Sequence, residues 1–366
     1  MSVSPATLHR VISETPAQTA RHARVAAGLA ELERWLGDQV RLGLGQAGDR
    51  DWDDLVKRLV DAQAPGAAGL VARLERVRAA AGWPGALLSE YALLNLLAVA
   101  YRRRAELPPA LARTVLTRVG FTTSRAEVLA EPHVHDRWLV LGVRDEPLDH
   151  VTARRVWLRG RATGRPALIL TFTPAAHPMD EAPAPGAVLE TALAFYPAAA
   201  PLRALIADPS DGQETPEGQE APDGQEAPDG QEAPEPARPA SRPHAPARVA
   251  APVPGAVVGP GLRGVFPAPG RESGEVFRAV PVEAALEEVA GAVAADPWTD
   301  AWPLLLDGVV PGRADLGGLP LHPACHDPWR LIAVSGGGPV TVAAEWTPRG
   351  LRPLTVWDDD AGPVPL

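Results

Sequence analysis

WPGALLSEYALLNLLAVAYRRR, residues Trp83–Arg104, decides how the first third of the chain is read. Pro84 stands where an early helical position tolerates a missing N–H. From Tyr91 to Tyr101 the segment is apolar nearly all round, the pattern of a helix surrounded by other helices and not of one lying on a surface. Arg102, Arg103 and Arg104 close it with cations at the negative end of the helix dipole. The apolar run is about half the length that a bilayer requires, so a bundle core is the better reading and no membrane is expected.

Working outward, the neighbours are helical too. Val25, Leu29, Leu32, Leu36 and Val40 recur at steps of three and four and share one face. A second helix is expected from Trp52 to Ala62, and a third carries Leu70, Leu74, Val77 and Ala81 on one stripe. Pro108-Pro109 opens another, running to about Val119. Residues 16–131 therefore form a helical N-terminal domain behind a disordered stretch, residues 1–15. The helix spacings differ, so no solenoid repeat is present.

Beyond residue 131 the periodicity changes from helix to strand. Trp138–Val143 is a run of strand formers. RVWLR (155–159) alternates, and LILTF (168–172) follows a loop holding Gly160, Gly164 and Pro166. That combination predicts a hairpin. Val188–Phe195 adds a strand and Leu202–Ile206 a short helix, giving a small antiparallel β-rich domain over residues 132–207.

DGQETP, EGQEAP, DGQEAP and DGQEAP are four copies of one hexapeptide from Asp211 to Pro234. Their Pro, Gly, Gln and Glu cannot bury enough apolar surface to offset ordering entropy. Residues 208–258 are accordingly expected to be a disordered acidic linker, a spacer between folded parts. Residues 259–366 predict a C-terminal module of helices plus an antiparallel meander. Its helices are the stripe Val282, Leu286, Val289, Val293 and a short one around Trp298–Leu306. Its strands are Trp329–Val334, Val340–Trp346 and Leu351–Trp357, joined by GGGP and TPRG turns. The fold class is α+β.

The formal net charge of −10 is local. Nine acids and no bases lie between Asp211 and Glu235, so the rest of the chain is close to neutral and no strongly charged partner follows from the total. Lys57 is the only lysine among 35 basic residues, a codon-level bias. Cys325 is the only cysteine, so no intrachain disulfide forms. The N-terminus, MSVSPATLHRVISETP, lacks the apolar stretch of a signal peptide, and a cytoplasmic protein is the expectation.

GLAELERWLGDQVRLGL (28–44), LVDAQAP (59–65), RVWLRGRATGRPALILTF (155–172) and GGPVTVAAEWTPRGLRPLTVWD (337–358) resemble the SWIM zinc finger family of actinobacteria, in the region downstream of its zinc module. The defining module takes two cysteines one residue apart and a distant Cys-X-His pair, a closed tetrahedral site. One cysteine cannot supply that set, so the resemblance is to the family's body without its finger, and an early segment is expected to be absent from this chain. What the resemblance implies is a protein that assembles with others, with AAA-type ATPases and von Willebrand factor A-like proteins as partners.

Few residues suggest chemistry. His322, Cys325, His326 and Asp327 (HPACHD) offer metal or thiol ligands close in sequence, although Pro323 and Pro328 also mark them as an ordinary loop. His133, His135 and Asp136 (HVHD) resemble a fragment of a metal-hydrolase motif whose further ligands do not stand nearby. Gly336–Gly338 suggests a phosphate loop, but a strand follows where a helix is needed, and a hairpin turn is the simpler reading. Asp358–Asp360 are three acids in a polar tail. Arg154, Arg155, Arg159, Arg161 and Arg165 cluster on the hairpin. In strand geometry Arg155, Trp157, Arg159 and Arg161 share a face, which suits a phosphate backbone, an acidic peptide or the chain's own acidic repeat, or is simply solvated.

No P-loop, dinucleotide fingerprint, G-x-S-x-G or HExxH is present. No cofactor is expected, and a non-catalytic interaction or scaffold protein is the leading reading. The alternatives are a nucleic-acid-associated protein using the arginine hairpin, a zinc-binding protein whose finger lies outside this chain, and an enzyme using the Cys/His loop.

Overall fold

The computed structural model describes residues 15–207 and 277–366, apart from residues 47, 81, 149, 326–327 and 359–361. The acidic repeats lie outside the described residues.

Helix α1 (Pro16–Leu42) starts with a reciprocal cap: Thr15 Oγ1 accepts from the Gln18 amide and Gln18 Oε1 accepts from the Thr15 amide. It buries Val25, Leu29, Leu32 and Leu36 as the spacing predicts, but leaves Val40 exposed. Helix α2 (Asp49–Asp61) buries Trp52, Leu55 and Leu59.

The single third helix expected from Leu70 onward is instead two, α3 (Pro65–Ala72) and α4 (Leu74–Arg78). Between them the hydrogen bond from the Arg73 amide slips to the third preceding carbonyl, Leu70, which tightens the turn and ends α3. Helix α5 (Trp83–Arg102) packs on α1, on α4 and on α6 (Pro109–Val119) with one side, and its other side is exposed, so it is not surrounded by helices as its apolar composition suggests. Its Tyr91, Leu94, Leu97 and Tyr101 lie in one core with Leu29 and Leu32 of α1 and Val115 of α6. A short helix, α7 (Arg125–Leu129), leads out of the bundle.

Five strands then close into a barrel: β1 (His133–Pro147), β2 (Val151–Gly160), β3 (Pro166–Pro174), β4 (Val188–Phe195) and β5 (Arg203–Ala207). Their order is β1-β2-β3-β5-β4, with β4 pairing back onto β1. Every pair is antiparallel except β3–β5, which is parallel. The expected helix at Leu202–Ile206 is thus a strand. Five residues are too few to show a period, and pairing of Ala204–Ala207 with β4 satisfies their backbone. Trp138, Val140, Val156, Leu158, Ile169, Leu193 and Phe195 fill the interior, as a small barrel requires.

The C-terminal part begins with α8 (Val282–Ala295), β6 (Trp302–Val309), a two-stranded ribbon β7 (Asp315–Leu316) and β8 (Leu319–Pro320), and α9 (Trp329–Ser335). It ends with β9 (Val340–Thr347), β10 (Gly350–Asp358) and β11 (Gly362–Pro365), and the main sheet runs β11-β10-β9-β6, antiparallel throughout.

Two expectations exchange places here. Trp302–Leu306 is a strand, because Leu304 and Leu306 join the core beneath α8 while Leu305 faces the barrel, and a segment buried on both faces has no polar alternation to reveal it. Trp329–Val334 is a helix of which only Leu331 is buried. Gly336 and Gly337, with φ of 57° and 80°, stop α9 and turn the chain into β9. The glycine run is therefore a helix-to-strand turn and not a hairpin turn.

The three folded regions pack into one unit. The outer face of the barrel, through Leu139, Leu141, Trp157 and Leu168, meets Ala301, Leu305, Ala343 and Leu354 of the C-terminal part. At Gly142 the approach is close enough that a Cβ would stand 2.6 Å from that of Leu354. Trp298 enters the bundle core, where its indole N–H donates to the Leu93 carbonyl at 3.1 Å and its own carbonyl accepts from Arg118 at 2.7 Å. The folded regions on either side of the acidic repeats are packed together and do not stand apart as modules on a spacer.

Candidate functional site

The alternation of RVWLR holds: Trp157 belongs to the core on the outside of the barrel, while Val156 and Leu158 belong to the core inside it. The outer face is not solvated, however. Trp157 is fully buried under the C-terminal sheet, and the arginines beside it are engaged within the chain. Arg159 makes a two-pronged pair with Glu288 of α8, Nη1 to Oε1 at 3.0 Å and Nη2 to Oε2 at 2.6 Å. Glu288 Oε1 also accepts from the Trp302 indole at 3.0 Å. The guanidinium fork and the carboxylate match in plane and charge, which makes this a directional polar link between barrel and C-terminal part.

Arg155 stands opposite Arg144 across β1 and β2, with its Nε 3.5 Å from Glu146. Arg144 pairs with Glu345 of β9, a carboxylate only 2% exposed, and Arg352 of β10 approaches the same carboxylate oxygen at 4.0 Å. Arg154 forms a two-pronged pair with Asp145, at 2.7 Å on both prongs. Arg165 lies over the Phe195 ring at 3.6 Å. Arg161 is beyond the end of β2, in the β2–β3 turn. With His135, Arg137 and Glu190 it lines an open cleft of about 400 Å³ at the barrel rim.

The HVHD residues serve the fold around that cleft. His133 Nε2 is 2.8 Å from the Leu129 carbonyl. Asp136 accepts from the amides of Arg137, Ala162 and Thr163 and from the Thr163 hydroxyl, at 2.7–3.0 Å, and so holds the β2–β3 turn in place. Burial would raise its pKa, but these four donors outweigh it and hold the carboxyl below the usual carboxylate range.

In the HPACHD loop, His322 is buried and its Nδ1 accepts from the Ala324 amide at 3.0 Å. Its Nε2 lies 3.1 Å from Arg352 Nη2. Burial, then the positive charges of Arg352, Arg349 and Arg144, depress its pKa to about 4. Cys325 is half-buried and in no disulfide, and His326 and Asp327 lie outside the described residues. Among the described residues no three His, Cys, Asp or Glu side chains gather closely enough to hold a metal ion. Asp358 ends β10 and the chain continues into β11, so it is not part of a free tail; Asp359 and Asp360 lie outside the described residues.

His322 carries a pH expectation. Its folded pKa of about 4 lies below the ordinary 6.5, so its contribution to stability is complete above pH 6.5 and is lost as the pH falls through 4. Urea unfolding between pH 7 and 4 is expected to show a fall in stability that His322→Gln reduces. An unchanged slope in that variant would contradict the assignment.

The participants that sequence reasoning did not single out are Glu288, Glu345, Arg144 and Arg352. Glu345 did carry a signal, since a lone acid in the strand run VTVAAEWT needs a cation if the strand is buried on both faces.

Residues 20–119, which span α1 to α6, match the SWIM_C family, described as a SWIM-associated four-helix bundle domain. No curated protein and no solved structure matches the chain. Residues 20–119 of this protein are a SWIM-associated four-helix bundle domain.

Proposed function

We propose that the chain is a non-catalytic interaction protein whose helical bundle docks onto a protein partner through the outer face of α5. The supporting observation is an uncharged apolar stripe on a helix whose other side packs into the bundle core. Pro84, Leu88, Ala92 and Leu96 recur every four residues and are exposed, Leu88 by 48% and Leu96 by 40%. Helix α5 is long and apolar enough, by length and composition alone, to cross a membrane, yet only 28% of its apolar window is buried in the fold. Apolar surface left in water on one continuous stripe favours burial against another protein.

Resemblance to the SWIM zinc finger family names the partner class, an AAA-type ATPase or a von Willebrand factor A-like protein. The barrel arginines do not favour the nucleic-acid alternative, because Arg155 and Arg159 face carboxylates of the same chain.

Titration calorimetry and size-exclusion chromatography with both proteins from the same source test this reading. Association with one of them is expected, weakened about tenfold or more by Leu88→Arg combined with Leu96→Arg, a change of at least about 1.4 kcal/mol. Both positions are exposed, so the variant keeps the fold. Association indifferent to the substitutions, or none with either protein, would defeat the proposal.

A further inference from the structure

At the junction of the barrel with the C-terminal sheet, two guanidinium groups approach the buried Glu345 carboxylate and a third stands beside them, against Glu146. Arg144 comes from β1, Arg155 from β2 and Arg352 from β10, and their side chains are 23%, 29% and 29% exposed. Solvent therefore reaches the cluster although its centre is covered. Against these three cations stand Glu345, buried, and Glu146, which is 41% exposed at the edge. Positive charge is in excess by one.

Hydrogen-bond donors are in excess as well. A neutral imidazole has one lone pair, but two donors face His322: the Ala324 amide on Nδ1 and Arg352 Nη2 on Nε2. Whichever nitrogen carries the ring proton, one of these N–H groups meets another N–H. Protonating the ring makes the conflict worse, because both nitrogens are then donors. Arg144 Nη2 and Arg352 Nε are also buried without a hydrogen-bond partner among the described residues. Glu345 Oε2, an acceptor, is likewise buried without a hydrogen-bond partner among the described residues; the unaccepted donors still outnumber it, and a buried donor without an acceptor is destabilising.

We propose that this junction binds a phosphate-class oxyanion between Arg144, Arg352 and His322. An oxyanion supplies what is missing: negative charge to balance the third arginine, and several acceptor oxygens in one small group. Donors arriving from β1, β10 and the His322 loop suit a tetrahedral acceptor better than a planar carboxylate, which the fork of a single arginine already satisfies. Bound there, the anion takes the surplus donor of Arg352 and relieves its conflict with the imidazole, so His322 Nε2 can carry its proton. The site is remote in sequence from α5 and does not depend on the partner proposed for that helix.

The experiment uses the full chain and inorganic phosphate, with chloride at matched ionic strength as the control. Calorimetry is expected to show one phosphate per chain. Arg352→Lys, which keeps the charge but removes the fork, is expected to weaken binding at least tenfold, and Arg144→Gln likewise. Acetate is expected to bind at least tenfold more weakly than phosphate. The imidazole N–H signal of His322 in the unaltered chain provides a readout that survives if a variant fails to fold, and phosphate but not chloride is expected to shift it. No phosphate heat, an equal response to chloride, equal affinity in both variants, or an unmoved His322 signal would each overturn the site.

Discussion

Trp157→Ala is expected to lower the stability of the whole unit by about 3–5 kcal/mol, the usual range for truncating a large buried aromatic. Trp157 is fully buried among Leu139, Leu141 and Leu168 of the barrel and Ala301, Leu305, Ala343 and Leu354 of the C-terminal part. Small or rigidly held neighbours such as Ala301 and Ala343 cannot collapse into the space its ring would leave. Its indole N–H has no hydrogen-bond partner among the described residues, so Trp157→Phe loses ring area but no polar contact. That variant is therefore expected to cost much less, about 1–2 kcal/mol. Urea unfolding followed by circular dichroism reads both values. Similar losses for the two variants would mean that the ring volume is not what joins the two sheets.

The second large effect concerns chain continuity. Produced as two polypeptides, residues 1–207 and 277–366 are expected to bind each other and purify together, because the contacts joining them are those of a core and not of a surface encounter. These are the apolar layer around Trp157, the Arg159–Glu288 pair, and Trp298 inserted in the bundle. Arg159→Ala leaves the Glu288 carboxylate, whose side chain is 27% exposed, without its cation. That change is expected to cost roughly 2–3 kcal/mol, somewhat less than for a fully buried pair, or about 30- to 150-fold in Kd. Arg159→Glu is expected to abolish association, with partial recovery when Glu288→Arg is placed opposite it. Fragments that stay apart would show that the regions require covalent linkage to assemble.

How much of this was legible depended on element length and on where the partner lies in the chain. The bundle was readable because α1 is long enough for the 3.6-residue period to repeat and α5 is a long apolar run with helix-end signals, and the hairpin of β2 and β3 because its turn residues lie between two runs of strand formers. Leu202–Ile206, Trp302–Leu306 and Trp329–Val334 were not readable. Each is a short apolar run that fits either period; distant strand pairing made strands of the first two, and the third, with no strand partner, is a helix. The arginine row was placed on the correct face by alternation. Its cover could not be foreseen, since Glu288 lies more than a hundred residues beyond Arg159 and an arginine facing water looks the same in sequence as one facing a buried carboxylate. His322 stood out as a ligand candidate, and its actual neighbour, Arg352, is on a strand that local spacing does not connect to it.

The last strand has a consequence for solubility. Strand β11 is the outermost of its sheet, and its residues Gly362–Pro365 read GPVP. The Leu366 amide donates inward to the Leu354 carbonyl. By the alternation of an antiparallel ladder, the nitrogens of Pro363 and Pro365 then face outward. Those are the two positions from which a newly arriving strand would draw hydrogen bonds, and neither has a hydrogen to give. The sheet therefore presents on that side a border that cannot template further growth, a built-in guard against edge-to-edge aggregation.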